Sequence, residues 1–99
     1  MDAIAEIHQR IRIDAGHPSL PGHFPGRPVV PGVLLLDHVA AALERAGAGC
    51  FARIGVVKFL APLLPEQEAE LTVTHAGTRV RFRLERDGMP ILTGEGELT

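Results

Sequence analysis

A histidine in a proline-rich segment and a carboxylate in an apolar run are the two side chains of this sequence best suited to proton transfer. His23 lies within residues 18–32, which contain five prolines and three glycines. Proline fixes φ and lacks an N–H, so this segment is neither a helix nor a central strand, and it holds His23 stiffly. Asp37 follows in an apolar run, where an unpaired carboxylate is costly. Because imidazole exchanges protons near neutral pH, the pair predicts a general acid–base site.

The apolar run that carries Asp37 predicts one long helix. Pro31 suits the first turn of a helix, and Gly32 allows close approach of the backbone there. From Gly32 to about Ala46 the sequence is apolar on most sides, which is typical of a helix that is buried all round. Gly47 supplies its C-terminal stop.

The rest of the chain has the alternation of β-strands. Strands are predicted at residues 6–13, 51–60, 68–75, 78–86 and 89–98. Asp87-Gly88 is a strong hairpin signal, and Pro90 with Gly94 and Gly96 indicates an edge strand or a bulged one. We therefore predict an α+β fold, in which about five antiparallel strands, a meander after the helix, wrap around one long central helix.

Composition limits the possible partners and location. The 99 residues are 45% apolar and 22% charged with a net charge of -2, which predicts one globular domain over residues 1–99. Nucleic-acid binding is not expected, because there is no basic excess and only four Phe, without Trp or Tyr, to stack bases. One cysteine, no signal-peptide pattern and no membrane-length apolar run predict a cytoplasmic protein without a membrane span. The five histidines lack the spacing of a zinc site, so no metal is expected.

The proline-rich segment and the start of the helix resemble the signature of a known family. Gly22-His23-Phe24-Pro25, Pro28, Pro31-Gly32-Val33-Leu34 and then Asp37 are similar to the β-hydroxyacyl-ACP dehydratases, which have the hot-dog fold. That family also separates its histidine from its acid by 14 positions, and Asp37 matches the branch that uses aspartate and also isomerises the new double bond. Lys58-Phe59, followed by Pro62, also resembles the family, whereas Ala41 stands where the family commonly has a glutamine.

The resemblance implies an activity and roles for residues. The reaction would be dehydration of 3-hydroxyacyl thioesters on acyl carrier protein to trans-2-enoyl thioesters, in fatty-acid, polyene or other specialised acyl-chain synthesis, without a cofactor. His23 and Asp37 would be the catalytic pair, and the Gly32 N–H would bind the thioester oxygen. The other substrate-binding positions would be Phe24, Pro31 and Val33. A homodimer or higher homo-oligomer is implied, with the histidine of one chain against the acid of the other.

Two expectations concern the surroundings of these residues. Asp37 must hold a proton to act as an acid, and burial among Val33, Leu36 and Ala40 would favour that form. A carrier protein is acidic, so a row of basic strand residues is a candidate docking surface. We call it the basic row: Arg53, Lys58, Arg79, Arg81 and Arg83.

Two other functions remain open from the sequence. A hot-dog acyl thioesterase would use the same fold with a carboxylate that activates water, but it would not need His23. A non-catalytic acyl-binding or dehydratase-like subunit is the second alternative, favoured by Ala41 in place of the usual glutamine. Turnover by the wild-type chain separates either from a dehydratase.

Overall fold

A computed structural model describes residues 5–17 and 29–99 of the chain. Residues 1–4 and 18–28 lie outside the described residues, and with them two of the predicted site residues, His23 and Phe24. The stiff loop predicted around His23 therefore stays a prediction. The other four predicted site residues are all described: Pro31, Gly32, Val33 and Asp37.

The structure has one helix and five strands in the described chain, close to the predicted segments. In chain order they are β1 (Ala5–Ile11), α1 (Gly32–Arg45), β2 (Phe51–Phe59), β3 (Ala69–Ala76), β4 (Arg79–Arg86) and β5 (Met89–Leu98). Strand alternation explains the agreement: in β4, Val80, Phe82 and Leu84 are buried while the residues between them are exposed. The predicted α+β architecture is confirmed.

All strand pairs are antiparallel, and the order across the sheet is β1-β3-β4-β5-β2. The predicted meander is correct for β3, β4 and β5 but wrong for β2, which pairs with β5 rather than with β3. On its other side β3 pairs with β1, with Ile11 opposite Ala69 and Ala5 opposite His75. As a result β1 and β2 form the two edges of the sheet.

Pro90, Gly94 and Gly96 predict either an edge strand or an irregular one, and β5 is not an edge, because it lies between β4 and β2. The predicted irregularity is present, because the register between β4 and β5 shifts next to Pro90. The glycine at position 94 is explained by packing and not by an edge position. A methyl group there would lie 2.4 Å from the ring of Phe82, its neighbour on β4. The glycine makes room for a buried aromatic ring in the core.

Helix α1 packs one side on the inner face of the sheet. Its buried residues are Leu35, Val39, Ala42 and Leu43. The opposite side is open in the single chain, with Val33 65% exposed and Asp37 exposed. The prediction of a helix buried all round is therefore wrong for one chain. No helix in the described part of the chain is long and apolar enough to cross a membrane.

Candidate active site

The N-terminus of α1 presents a backbone donor that has no acceptor among the described residues. Pro31 caps the helix in an extended conformation, φ -60° and ψ 139°, without a side-chain hydrogen bond to the first turn. The preceding residue is anchored, because Val30 N donates to the carbonyl of Leu63 at 2.8 Å. Within residues 5–17 and 29–99 no acceptor receives the N–H of Gly32, as expected at the start of a helix. This N–H lies at the positive end of the helix dipole and can bind an oxygen that gains negative charge.

The side chain of Phe59, at the end of β2, lies directly against Gly32. A methyl group on Gly32 would be 2.4 Å from Cε1 and 2.6 Å from Cζ of the Phe59 ring. Glycine at this position is therefore required by packing as well as by backbone freedom. Phe59 as a whole is nevertheless 56% exposed, so part of its surface is open to a ligand.

An apolar cleft of about 370 Å³ adjoins this donor. It is lined by residues 29–32, Leu35 and residues 59–63, all of which have apolar side chains. Its volume is at the lower end of the range for small-molecule sites. The cleft can hold a short hydrocarbon chain whose polar end is placed at the Gly32 N–H.

Asp37 and Val33 lie on another side of α1. They are four residues apart and so share a helix face, which is exposed in the single chain. Asp37 follows Gly32 by five residues, which in an ideal helix is about 7.5 Å along the axis and about 140° around it. The burial expected for Asp37 is therefore absent in one chain. The structure brings Pro31 and Gly32 to the cleft but leaves Asp37 and Val33 facing outward.

His38, next to Asp37, is the one titratable group near the site whose pKa clearly shifts among the described residues. Burial lowers the pKa of His38 most, and the charge of Arg45 and the nearby His17 lower it further. Asp37 opposes this effect and raises it. The neutral form of His38 is therefore favoured over the charged form.

The basic row lies on the outer face of the sheet and is partly neutralised within the chain. Arg53 forms an ion pair with Glu97 at 3.0 Å, and Arg83 pairs with Glu85. Three members form no ion pair within the described residues: Lys58, Arg79 and Arg81. Only these remain available to an acidic partner.

Edge strand β2 exposes both its backbone and its apolar side chains. Ile54 and Val56 are exposed, Val56 to 59%. The opposite edge, β1, carries the charged or polar Glu6, His8 and Arg10 at its exposed positions. Charges protect an edge strand from pairing with another chain, whereas an apolar edge favours it. Strand β2 also carries the exposed Arg53 and Lys58, but it is the more apolar of the two edges.

Comparison with protein families identifies one that spans nearly the whole chain. The family model of the ApeI-like dehydratases matches residues 2–95. A 3-hydroxyacyl-[acyl-carrier-protein] dehydratase FabZ of Haemophilus influenzae strain 86-028NP is 38% identical over 92 residues, covering 83% of this chain and 57% of its own length. The FabZ of Ruminiclostridium cellulolyticum is 33% identical over 97 residues, covering 84% and 68%. This chain thus spans little more than half the length of the Haemophilus relative.

Solved structures support the same fold. A protein of Erwinia carotovora subsp. atroseptica superimposes with a TM-score of 0.85 and 26% identity, covering 100% of this chain and 86% of that one. A structure entitled the dehydratase heterocomplex ApeI:P from Xenorhabdus doucetiae gives a TM-score of 0.82 and 27% identity, covering 94% and 86%. The sheet with its one helix is the hot-dog fold that the sequence resemblance implied.

Proposed function

Because the chain belongs to the ApeI-like dehydratase family, we propose that it removes water from 3-hydroxyacyl thioesters carried on acyl carrier protein and forms trans-2-enoyl thioesters. The names of its FabZ relatives describe this reaction. The proposal is carried by the Gly32 N–H, which has no acceptor within residues 5–17 and 29–99, and by the apolar cleft beside it. Together they provide a donor for the thioester oxygen and space for the acyl chain.

In the proposed mechanism His23 removes the proton from C2 of the substrate. The electrons of that C–H bond move onto the thioester oxygen and give an enolate. As they return they form the C2=C3 double bond, the C3–O bond breaks, and the hydroxyl leaves as water with a proton from Asp37. The Gly32 N–H binds the thioester oxygen while it carries negative charge. Loss of one such donor typically costs about 2.7–4 kcal/mol of transition-state stabilisation.

We further propose that two copies of this chain pair through the exposed edge of β2 and share their sites. Asp37 faces away from the cleft of its own chain, so a site within one chain leaves this carboxyl unused. Two β2 strands pairing antiparallel would cover Ile54 and Val56 and give a closed two-fold dimer. The Xenorhabdus relative is described as a heterocomplex, so pairing with a different chain is the competing assembly.

The purified wild-type chain tests the proposed reaction. Crotonyl and 3-hydroxybutyryl thioesters of acyl carrier protein interconvert in a dehydratase, and ultraviolet absorbance of the enoyl thioester follows both directions. We expect turnover in both directions without release of free thiol. Release of thiol from the 3-hydroxybutyryl thioester without a rise in enoyl absorbance would favour the thioesterase. An inert chain with long and short substrates would favour the non-catalytic subunit.

The unpaired part of the basic row is our proposed docking surface for the carrier. Reversing both charges in Arg79→Glu/Arg81→Glu should lower kcat/KM for a carrier-bound substrate by about tenfold, because charges at the rim of an interface act mainly on association. The same substrate on free pantetheine should react as with wild type. The matched control is Arg10→Glu/Arg86→Glu, which makes an equal change in net charge elsewhere on the sheet. Equal losses with both substrates would contradict docking at this surface.

Three parts of the proposal stay predictions from the sequence. They are a cytoplasmic location, service in fatty-acid or specialised polyene synthesis, and isomerisation of the double bond after dehydration. The aspartate at position 37 supports only the last of them, through its resemblance to the isomerising branch.

A further inference from the structure

Phe59 lies where the oxygen-binding donor and the apolar cleft meet. Its ring contacts the backbone of Gly32 and also forms part of the cleft wall. The side chain is 56% exposed, so it is not held in the core by packing on all sides. A thioester whose oxygen binds the Gly32 N–H would have to pass its acyl chain along this ring.

No polar side chain lines the cleft, so none is available to distinguish one acyl chain from another. All of its lining side chains, at residues 29–32, Leu35 and residues 59–63, are apolar. Selection in such a site depends on size and shape alone, where one methylene group changes kcat/KM by about 10–200-fold. The side chain that lines the cleft beside the donor is therefore the one best placed to select among acyl chains.

From this geometry we propose that Phe59 determines which acyl chains the protein accepts, with the aromatic ring favouring short, unbranched chains. The proposal rests on the dehydratase function argued above and assigns its selectivity to one residue. Leu60 also lines the cleft, but of the two only Phe59 lies against Gly32. Phe59 acts as a specificity-determining residue and takes no part in proton transfer.

Substitution of Phe59 by smaller residues should shift the preference toward longer chains. Removal of a ring can leave space for a benzene-sized group, as engineered apolar cavities do. We expect the ratio of kcat/KM for octanoyl-length to butyryl-length 3-hydroxyacyl substrates to rise at least about tenfold in Phe59→Ala, with Phe59→Leu between it and wild type. Because the side chain is largely exposed, both variants should fold.

The control for an exposed apolar truncation is Met89→Ala, at the β4–β5 turn and away from the cleft. Met89 is 65% exposed, similar to Phe59, and this variant should keep the wild-type ratio. If Phe59→Ala changes kcat/KM by the same factor for short and long substrates, the proposal is overturned while the dehydratase function stands.

A binding measurement separates this proposal from the reaction itself. Calorimetric titration with butyryl-pantetheine and octanoyl-pantetheine measures selectivity for chain length as a ratio of Kd values, without turnover. A shift of the Kd ratio toward octanoyl in Phe59→Ala, in a chain that shows no dehydration, would refute the proposed function but support Phe59 as the selective residue. An unchanged Kd ratio would refute the role of Phe59 in either case.

Discussion

Replacing His23 by alanine or Asp37 by asparagine should slow dehydration by at least about 100-fold, the scale expected when a general acid or base is lost. His23→Ala removes the group that takes the C2 proton. Asp37→Asn keeps the size of the side chain but cannot donate a proton to the leaving hydroxyl. Because Asp37 is exposed in the single chain and forms no ion pair among the described residues, its substitution should not disturb the fold of that chain. Enoyl absorbance at saturating and at low substrate measures kcat and kcat/KM.

Two matched variants control for the loss of a histidine or a carboxylate elsewhere. His8→Ala removes an exposed histidine of β1 that pairs with Glu6 and contacts the Thr72 hydroxyl, and Glu44→Gln removes an exposed carboxylate from the same helix as Asp37. Both should keep nearly wild-type rates, and circular dichroism should show all four variants folded. A wild-type rate in either His23→Ala or Asp37→Asn would remove that residue from the mechanism.

The elements of this fold were predictable because their signals are local. Strand β4 was expected at residues 78–86 and runs from Arg79 to Arg86, since alternation of arginines with apolar residues marks one buried face. The turn after it was expected at Asp87-Gly88, and both residues have positive φ, 51° and 78°.

The neighbours of β2 were not predictable, because strand pairing over long sequence distances leaves no local pattern. Strand β2 follows the helix directly and was expected beside β3, yet the edge of β3 is occupied by β1. The open side of α1 was missed for a related reason. An apolar helix has the same sequence pattern whether its second side meets the sheet of its own chain or the surface of another. Val33 and Asp37 are on that open side.

The candidate site was only partly visible in the sequence. The resemblance pointed to Gly32 as the donor, and the helix start at this residue is confirmed. The contact between Gly32 and Phe59 joins residues far apart in sequence and depends on how β2 lies beside the helix. In the sequence, only the glycine at the first position of the apolar helix indicated that another side chain packs closely against the backbone there.

Mixed dimers test whether one site takes residues from two chains. The two inactive variants, His23→Ala and Asp37→Asn, are produced together with different affinity tags, and dimers that carry both tags are isolated. If His23 of one chain works with Asp37 of the other, one of the two sites in each mixed dimer is intact and the other lacks both residues. These dimers should then have about half of the wild-type rate, although each parent variant is almost inactive.

The same experiment distinguishes the other arrangements. If both residues act within one chain, every site in the mixed dimer lacks one of them, and the dimer should be as inactive as its parents. Doubly tagged dimers in which both chains carry the same substitution give the background rate. If no doubly tagged species forms and the wild-type chain works as a monomer, the proposed pairing through β2 is wrong. If the wild-type chain is active only after a different chain is added, the exposed Ile54 and Val56 of β2 instead belong to an interface with that chain, as in a heterocomplex.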